Sequence, residues 1–168
     1  LFRSSSLVAR GVWPKARFDA VDLAESIDLA ARRGWIDQAH RGQFPELAPR
    51  MAGEYDVVSM HHYLEHTRDP GAELDAAAVV LAPAGLLSIE MPDPDSSLAR
   101  VMGRWWGPYL QPQHLNMVPM RNLEAMLGAL PDRDDDGPEQ RRMVTVESGG
   151  DGDGGGGGSG FTPALTDA

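Results

Sequence analysis

Residues 55–92, YDVVSMHHYLEHTRDPGAELDAAAVVLAPAGLLSIEMP, have the pattern of a β-strand, an α-helix and a second β-strand. The short apolar runs 56–60 and 86–91 have the length of strands that are buried on both faces of a parallel sheet. Between them, Asp69 can cap a helix that begins at Pro70, where a residue without an N–H is tolerated. A right-handed crossover then brings the carboxyl ends of both strands to the ligand-binding edge of an α/β sheet.

The composition restricts the class of protein. The chain has 168 residues and no cysteine, and its 15 Lys and Arg against 25 Asp and Glu give a net charge of -10. We expect one globular domain, over residues 1–130. The negative charge opposes binding to nucleic acids and to anionic membranes. Because no apolar run could span a bilayer and no basic-then-apolar leader is present, a cytoplasmic location is expected.

Residues 131–168 differ in composition from the rest of the chain. They hold nine Asp and Glu against three Arg, and they include the run GGDGDGGGGGSG. Such a run buries too little surface to offset the entropy lost on ordering, so we predict a disordered acidic tail. Only residues 143–147, MVTVE, have the pattern of a strand there.

The remaining elements can be predicted from local patterns. Residues 17–23 alternate as a strand does, and residues 27–33 form a short amphipathic helix. Residues 38–54, rich in Pro and Gly, are predicted to be irregular. A helix over 96–105 is followed by an aromatic and proline-rich segment, WWGPYLQPQHLNM (residues 105–117), which has the composition of a substrate-covering loop. Pro119 begins a last helix.

Four pieces of the sequence, taken in order, resemble the class I S-adenosylmethionine-dependent methyltransferases, especially those that act on small molecules. The pieces are VDLAES, YDVVSMHHYLEH, LAPAGLLSIEMP and QPQHLNMVPMRNLEAML, and the resemblance covers residues 17–130. It implies a Rossmann-like doubly wound sheet and S-adenosyl-L-methionine as the cofactor. It also implies methyl transfer by direct displacement to an oxygen, nitrogen or carbon atom of a small-molecule acceptor.

The resemblance implies a set of cofactor-binding residues. A carboxylate at the end of the second strand in the family's order, here Asp22 with Leu23 beside it, can accept hydrogen bonds from the ribose hydroxyls. Ser59, Met60 and His61, at the end of the next predicted apolar strand, match the positions that approach the methionine end of the cofactor. The alternative for Asp22 is a charge that interacts favourably with the following helix dipole.

Three histidines are candidate catalytic bases. His61 and His62 follow the apolar strand, and His114 lies in QPQHLN after the aromatic segment. An imidazole titrates near neutral pH and can remove a proton from a hydroxyl or amine acceptor. Each could instead be a histidine that is hydrogen-bonded in a loop, and the neighbouring aromatics could simply pack on the sheet.

The sequence predicts no metal site. His62 and His66 have the i, i+4 spacing of two ligands on one helix face, but no third ligand is evident. Glu65 and His66, adjacent in the chain, point in different directions on a helix and are expected to serve packing and capping.

Two departures from the family pattern bear on activity. Ala84 occupies a position where the family has glycine, and this strains the turn if a positive φ is needed. No glycine-rich loop precedes Asp22. We therefore expect a sheet that is incomplete at its N-terminal side, with an exposed edge, an incomplete cofactor pocket and poor stability.

A noncatalytic methyltransferase-like binding domain is the main alternative, and a nicotinamide-dependent dehydrogenase is a more distant one.

Overall fold

The computed structural model describes Gly11 and residues 13–130. The predicted acidic tail, with its MVTVE segment, lies outside the described residues. The four strands are β1 (Asp19–Asp22), β2 (Gln38–Arg41), β3 (Tyr55–His61) and β4 (Leu81–Glu90). The α-helices are α1 (Ser26–Arg32), α2 (Phe44–Leu47), α3 (Pro70–Val80), α4 (Ser97–Met102) and α5 (Met120–Gly128). Short 3₁₀ helices span Ala48–Met51, Leu64–His66, Gly103–Trp105 and Gly107–Leu110.

The strands form two parallel pairs, which confirms the α/β class. β1 pairs with β2 and is connected to it through α1, and β3 pairs with β4 through α3. Asp69 caps α3 as predicted, since its Oδ1 accepts a hydrogen bond of 3.1 Å from the N–H of Ala72. None of the described helices is long and apolar enough to cross a membrane.

The two strand pairs lie side by side but are separate sheets. Within residues 13–130, β1 and β3 belong to no common hydrogen-bonded ladder. They are joined by side chains instead, because the hydroxyl of Tyr55 donates a hydrogen bond of 2.9 Å to Oδ2 of Asp19. Among the described residues, β1 and β3 are each paired on one side only, and the exposed edge stays a prediction.

One strand is less buried than predicted. Val58 and Met60 of β3 face the main core, whereas Ser59 and His61 are exposed and Val57 is 55 % exposed. The prediction that this strand is buried on both faces was thus wrong. Apolar packing covers only one of its faces, and an apolar run by itself does not reveal how many faces are covered.

The core has two unequal parts. The larger one encloses α3 between the β3–β4 pair and the 38–51 region, with α5 added to it. Its fully buried centre includes Leu64, Leu74, Val80, Ile89, Met91 and Leu123. The smaller part, under α1, consists of Ile27, Ala30 and Ile36.

The region 38–54 is more regular than predicted. It contains β2, α2 and a 3₁₀ helix in place of an irregular segment. The sequence of β2, QAHR, offers no apolar run, and the strand forms because its backbone pairs with β1. Tertiary pairing thus overrides a weak local signal.

Candidate active site at the carboxyl edge

The carboxyl ends of β3 and β4 bring His61, His62 and Glu90 together. His61 is paired in register with Glu90, and its Nδ1 lies 2.7 Å from Oε2 of Glu90. Nε2 of His62 lies 3.4 Å from the other oxygen, Oε1, of the same carboxylate. One carboxyl group therefore contacts two of the three candidate bases, His61 and His62.

His62 has an unusual backbone conformation and a second carboxylate partner. Its φ of 48° lies in the left-handed region that residues with a side chain seldom adopt. This turn directs the ring back toward Glu65, whose Oε1 lies 3.1 Å from Nδ1 of His62. Glu65 is 0 % exposed, so a fully buried carboxylate orients a half-buried imidazole.

Glu65 also anchors the segment that carries His114. The carbonyl oxygen of Glu65 accepts hydrogen bonds from the N–H groups of Leu115, at 2.7 Å, and Asn116, at 3.1 Å. This brings the ring of His114 edge-on against His66, with ring centroids 4.9 Å apart. His114 thus lies beside the residue that orients His62, although the two positions are far apart in the sequence.

The end of β1 faces the same edge of the molecule. Asp22 is the last residue of β1, and its Oδ1 accepts a 2.9 Å hydrogen bond from the N–H of Ala24. The pKa of Tyr63 is raised by burial, by its neighbour Glu73, and also by the charge of Asp22. The charge of Asp22 thus acts on the hydroxyl of Tyr63, the residue that follows His62.

The predicted cofactor-binding residues differ in how exposed their side chains are. Asp22, Ser59 and His61 lie at or near the carboxyl edge, and Leu23 is exposed beside Asp22. The side chain of Met60 is buried in the main core, so only its backbone could contact a cofactor. The binding roles of these residues remain predictions.

The aromatic segment is divided between core and surface. Trp106 is buried and packs edge-on against the ring of Tyr109, with centroids 5.1 Å apart. Trp105 and Tyr109 are exposed. The packing interpretation therefore holds for Trp106, and a role of the exposed rings in covering a substrate remains a prediction.

Sequence reasoning missed the two carboxylates that contact the histidines. The spacing of His62 and Glu65, i and i+3, was available as a signal, but it indicates contact only if the intervening residues form a tight turn. Glu90 was recognised only as part of a strand, and its contact with His61 depends on the parallel register of β3 and β4.

Comparisons with known proteins identify the family of this chain. A family model described as a methyltransferase domain matches residues 5–130, more than half of the chain. A ubiquinone biosynthesis O-methyltransferase of Bordetella avium (strain 197N) is 31 % identical over an alignment of 90 positions, and the match covers 49 % of this chain and 37 % of the relative. A protein of the same name from Aromatoleum aromaticum is 31 % identical over an alignment of 87 positions, and the match covers 49 % of this chain and 36 % of the relative.

A solved structure has the same fold. The crystal structure of a SAM-dependent methyltransferase from Archaeoglobus fulgidus superposes with a TM-score of 0.61 at 22 % identity, covering 79 % of this chain and 57 % of the other. The present chain thus spans little more than a third of the curated relatives. These matches favour the methyltransferase over the dehydrogenase alternative. The chain belongs to the methyltransferase domain family, within the Rossmann-like class whose cofactor is S-adenosyl-L-methionine.

Proposed function

We propose that this domain transfers a methyl group from S-adenosyl-L-methionine to a hydroxyl oxygen of a small-molecule acceptor. The observation that carries the proposal is the pair of His62 and Glu65, an imidazole held at the carboxyl edge by a fully buried carboxylate. The names of the two curated relatives, both O-methyltransferases, support oxygen as the acceptor atom.

The cofactor supplies an electrophilic methyl group when it is bound. Asp22 uses one oxygen to accept from Ala24, which leaves Oδ2 to accept from a ribose hydroxyl. His62 donates its Nδ1 proton to Glu65, so the lone pair is on Nε2. That nitrogen takes the proton of the acceptor hydroxyl as the oxygen becomes the nucleophile. Oε1 of Glu90 lies 3.4 Å from Nε2, close to the positive charge that this proton transfer places on the ring.

The role of His62 as a base can be tested with acceptors of different acidity. For a simple phenol we expect His62→Ala to lower kcat by about 100-fold, as is typical of losing a general base. For a nitrophenol that is already ionised, the same variant should retain most of its activity. His61→Ala tests the neighbouring candidate base, which contacts Glu90 but not Glu65, and its effect should not depend on the acidity of the acceptor. Equal losses with both acceptors would remove His62 from proton transfer.

The role of Asp22 in cofactor binding can be tested without turnover. Loss of charged hydrogen bonds worth about 1.5–3 kcal/mol should weaken S-adenosylhomocysteine binding in Asp22→Ala by about 10- to 100-fold. Asp28→Ala, which changes an acidic residue of α1 that pairs with Arg41, is the control. Calorimetric titration of the full chain measures both affinities, and equal values would exclude Asp22 from the cofactor site.

A noncatalytic methyltransferase-like binding domain is the second candidate. It is favoured by one observation, namely that both ring nitrogens of His62 already contact carboxylates, those of Glu65 and Glu90. In that case, S-adenosylhomocysteine would bind in an Asp22-dependent manner, and no acceptor hydroxyl would be methylated at any pH.

A further inference from the structure

We propose that Glu65, His66 and His114 form a binding site for a divalent transition-metal ion, with zinc as the best fit. Each residue offers one ligand atom, and the three atoms lie within 4.8 Å of one another. Two imidazole nitrogens and one carboxylate oxygen are a common protein ligand set for zinc. The site does not depend on methyl transfer, because it requires only these three side chains.

Both histidines are held in the tautomer that a metal ligand needs. Nδ1 of His66 lies 3.1 Å from the carbonyl oxygen of Gln113, and Nδ1 of His114 lies 2.9 Å from that of Pro108. A carbonyl oxygen can only accept a hydrogen bond, so each Nδ1 carries the proton. The lone pair of each neutral ring is therefore on Nε2. Backbone carbonyls orient metal-binding histidines in this same way.

The carboxylate of Glu65 has an unused oxygen. Its Oε1 contacts His62, but Oε2 is buried and has no hydrogen-bond partner among the residues that the structure describes. Burying an unpaired carboxylate oxygen is costly, and no Lys or Arg of the described part of the chain forms an ion pair with Glu65. A cation bound at Oε2 would remove this penalty.

The backbone fixes the two ligand segments against each other. Glu65 and His66 lie on one 3₁₀ helix, and the carbonyl of Glu65 binds the two residues that follow His114. The amide of Asn116 also donates to the carbonyl of Thr67. Ligands around a tetrahedral zinc ion lie roughly 3.4 Å apart for bonds of about 2.1 Å. The three ligand atoms lie within 4.8 Å of one another without an ion, so the proposal requires that binding draws them closer together.

Exposure of His66 gives an ion access from solvent, and three protein ligands leave a fourth position open. The sequence-based expectation of no metal considered His62 with His66 and lacked a third ligand. The structure brings His114 to His66 across 48 residues, which sequence spacing cannot reveal.

Titration of the full chain with Zn²⁺ by calorimetry, and with Co²⁺ by visible absorption, tests the site. We expect one ion per chain and a tetrahedral cobalt spectrum. His114→Ala and Glu65→Gln should each weaken binding at least 100-fold, whereas His61→Ala, a histidine of the same edge outside the cluster, should bind as the wild type does.

Two further measurements check that the variants are folded and which atoms bind the ion. Far-UV circular dichroism checks folding, and His66→Gln, a change at an exposed position, replaces any variant that is unfolded. X-ray absorption of the zinc form should report two nitrogen ligands and one oxygen ligand from the protein. The absence of stoichiometric binding to the wild-type chain would overturn the site. Binding that survives loss of His114 or His66 would assign the ion to other groups and would overturn it equally.

Discussion

At the scale of single residues, the hydroxyl of Tyr55 connects the two strand pairs. It donates to Asp19 of β1 and lies 3.4 Å from Nε2 of His40 in β2. Burial and the hydrogen bond to Asp19 raise the pKa of Tyr55 to about 12. Burial alone would raise the pKa of Asp19, but hydrogen bonds from Arg17 and Tyr55 outweigh it and lower that pKa. The side chain of Tyr55 thus connects β1 and β3, which share no backbone ladder among the described residues.

Removing this hydroxyl should destabilise the domain. We expect Tyr55→Phe to lower the free energy of unfolding by about 1 kcal/mol at neutral pH, the usual contribution of one hydrogen bond. A raised pKa stabilises the fold below the unfolded value of 10.0 and loses this effect as pH rises toward about 12. The free energy of unfolding of the wild type should therefore fall between pH 10.0 and about pH 12. Tyr55→Phe should not show this fall.

Urea unfolding at several pH values measures the effect. Tyr109→Phe, which changes a tyrosine exposed at the surface, serves as the control and should behave as the wild type does. If Tyr55→Phe shows the same alkaline loss as the wild type, the hydroxyl does not join the two strand pairs.

At the scale of secondary-structure elements, the first half of β4 contains a strained turn. Leu81 pairs with Tyr55 and Leu86 with Val57, so four residues of β4 oppose one residue of β3. Ala84, within this excursion, has a φ of 61°, as the family's glycine at this position suggested. A side chain in this region costs about 1–2 kcal/mol.

Ala84→Gly should relieve the strain. The gain is reduced by the extra backbone entropy that glycine brings to the unfolded chain, which leaves a net stabilisation of about 0.5 kcal/mol. Gly85→Ala should act in the opposite direction, because a Cβ there would lie 2.9 Å from the carbonyl oxygen of Ala82. Ala78→Gly within α3 shows the effect of an alanine-to-glycine change at an unstrained position, and it should lower the free energy of unfolding by about 1 kcal/mol. Thermal unfolding ranks the three variants, and a destabilising Ala84→Gly would contradict the strain.

At the scale of the whole molecule, local patterns predicted the elements with strong local signals, but neither the elements of region 38–54 nor the environment of the side chains. Asp69 and the apolar spacing of α3 are local signals, and the helix that they predict is present. The strand β2 has no such signal and exists through pairing with β1. Likewise, His62 and His114 could be identified as candidates by residue type. Their link through Glu65 depends on a left-handed turn and on backbone contacts across the fold.

The two unequal cores predict unequal local stability. Among the residues that the structure describes, the core around α3 contains fourteen buried residues, whereas the core under α1 contains three. Apolar burial supplies most of the free energy that holds a segment closed, so the β1–α1–β2 unit should open at a lower cost than the β3–α3–β4 unit. Side chains such as Tyr55 join the units without making them one hydrogen-bonded sheet. We therefore expect sub-global opening in addition to global unfolding.

Native-state hydrogen exchange followed by mass spectrometry resolves the two units. Backbone amides of β2 that are bonded to β1 should exchange at least 10-fold faster than those in the β3–β4 ladder. Leu74→Ala, at a fully buried position of α3, should accelerate exchange in both units, because it lowers global stability by about 2–5 kcal/mol. Ile27→Ala should accelerate it mainly in β1–α1–β2, since Ile27 lies in the smaller core. Uniform protection across both ladders would mean that the domain opens only as a whole, and that side-chain contacts alone couple the two strand pairs as tightly as a shared sheet would.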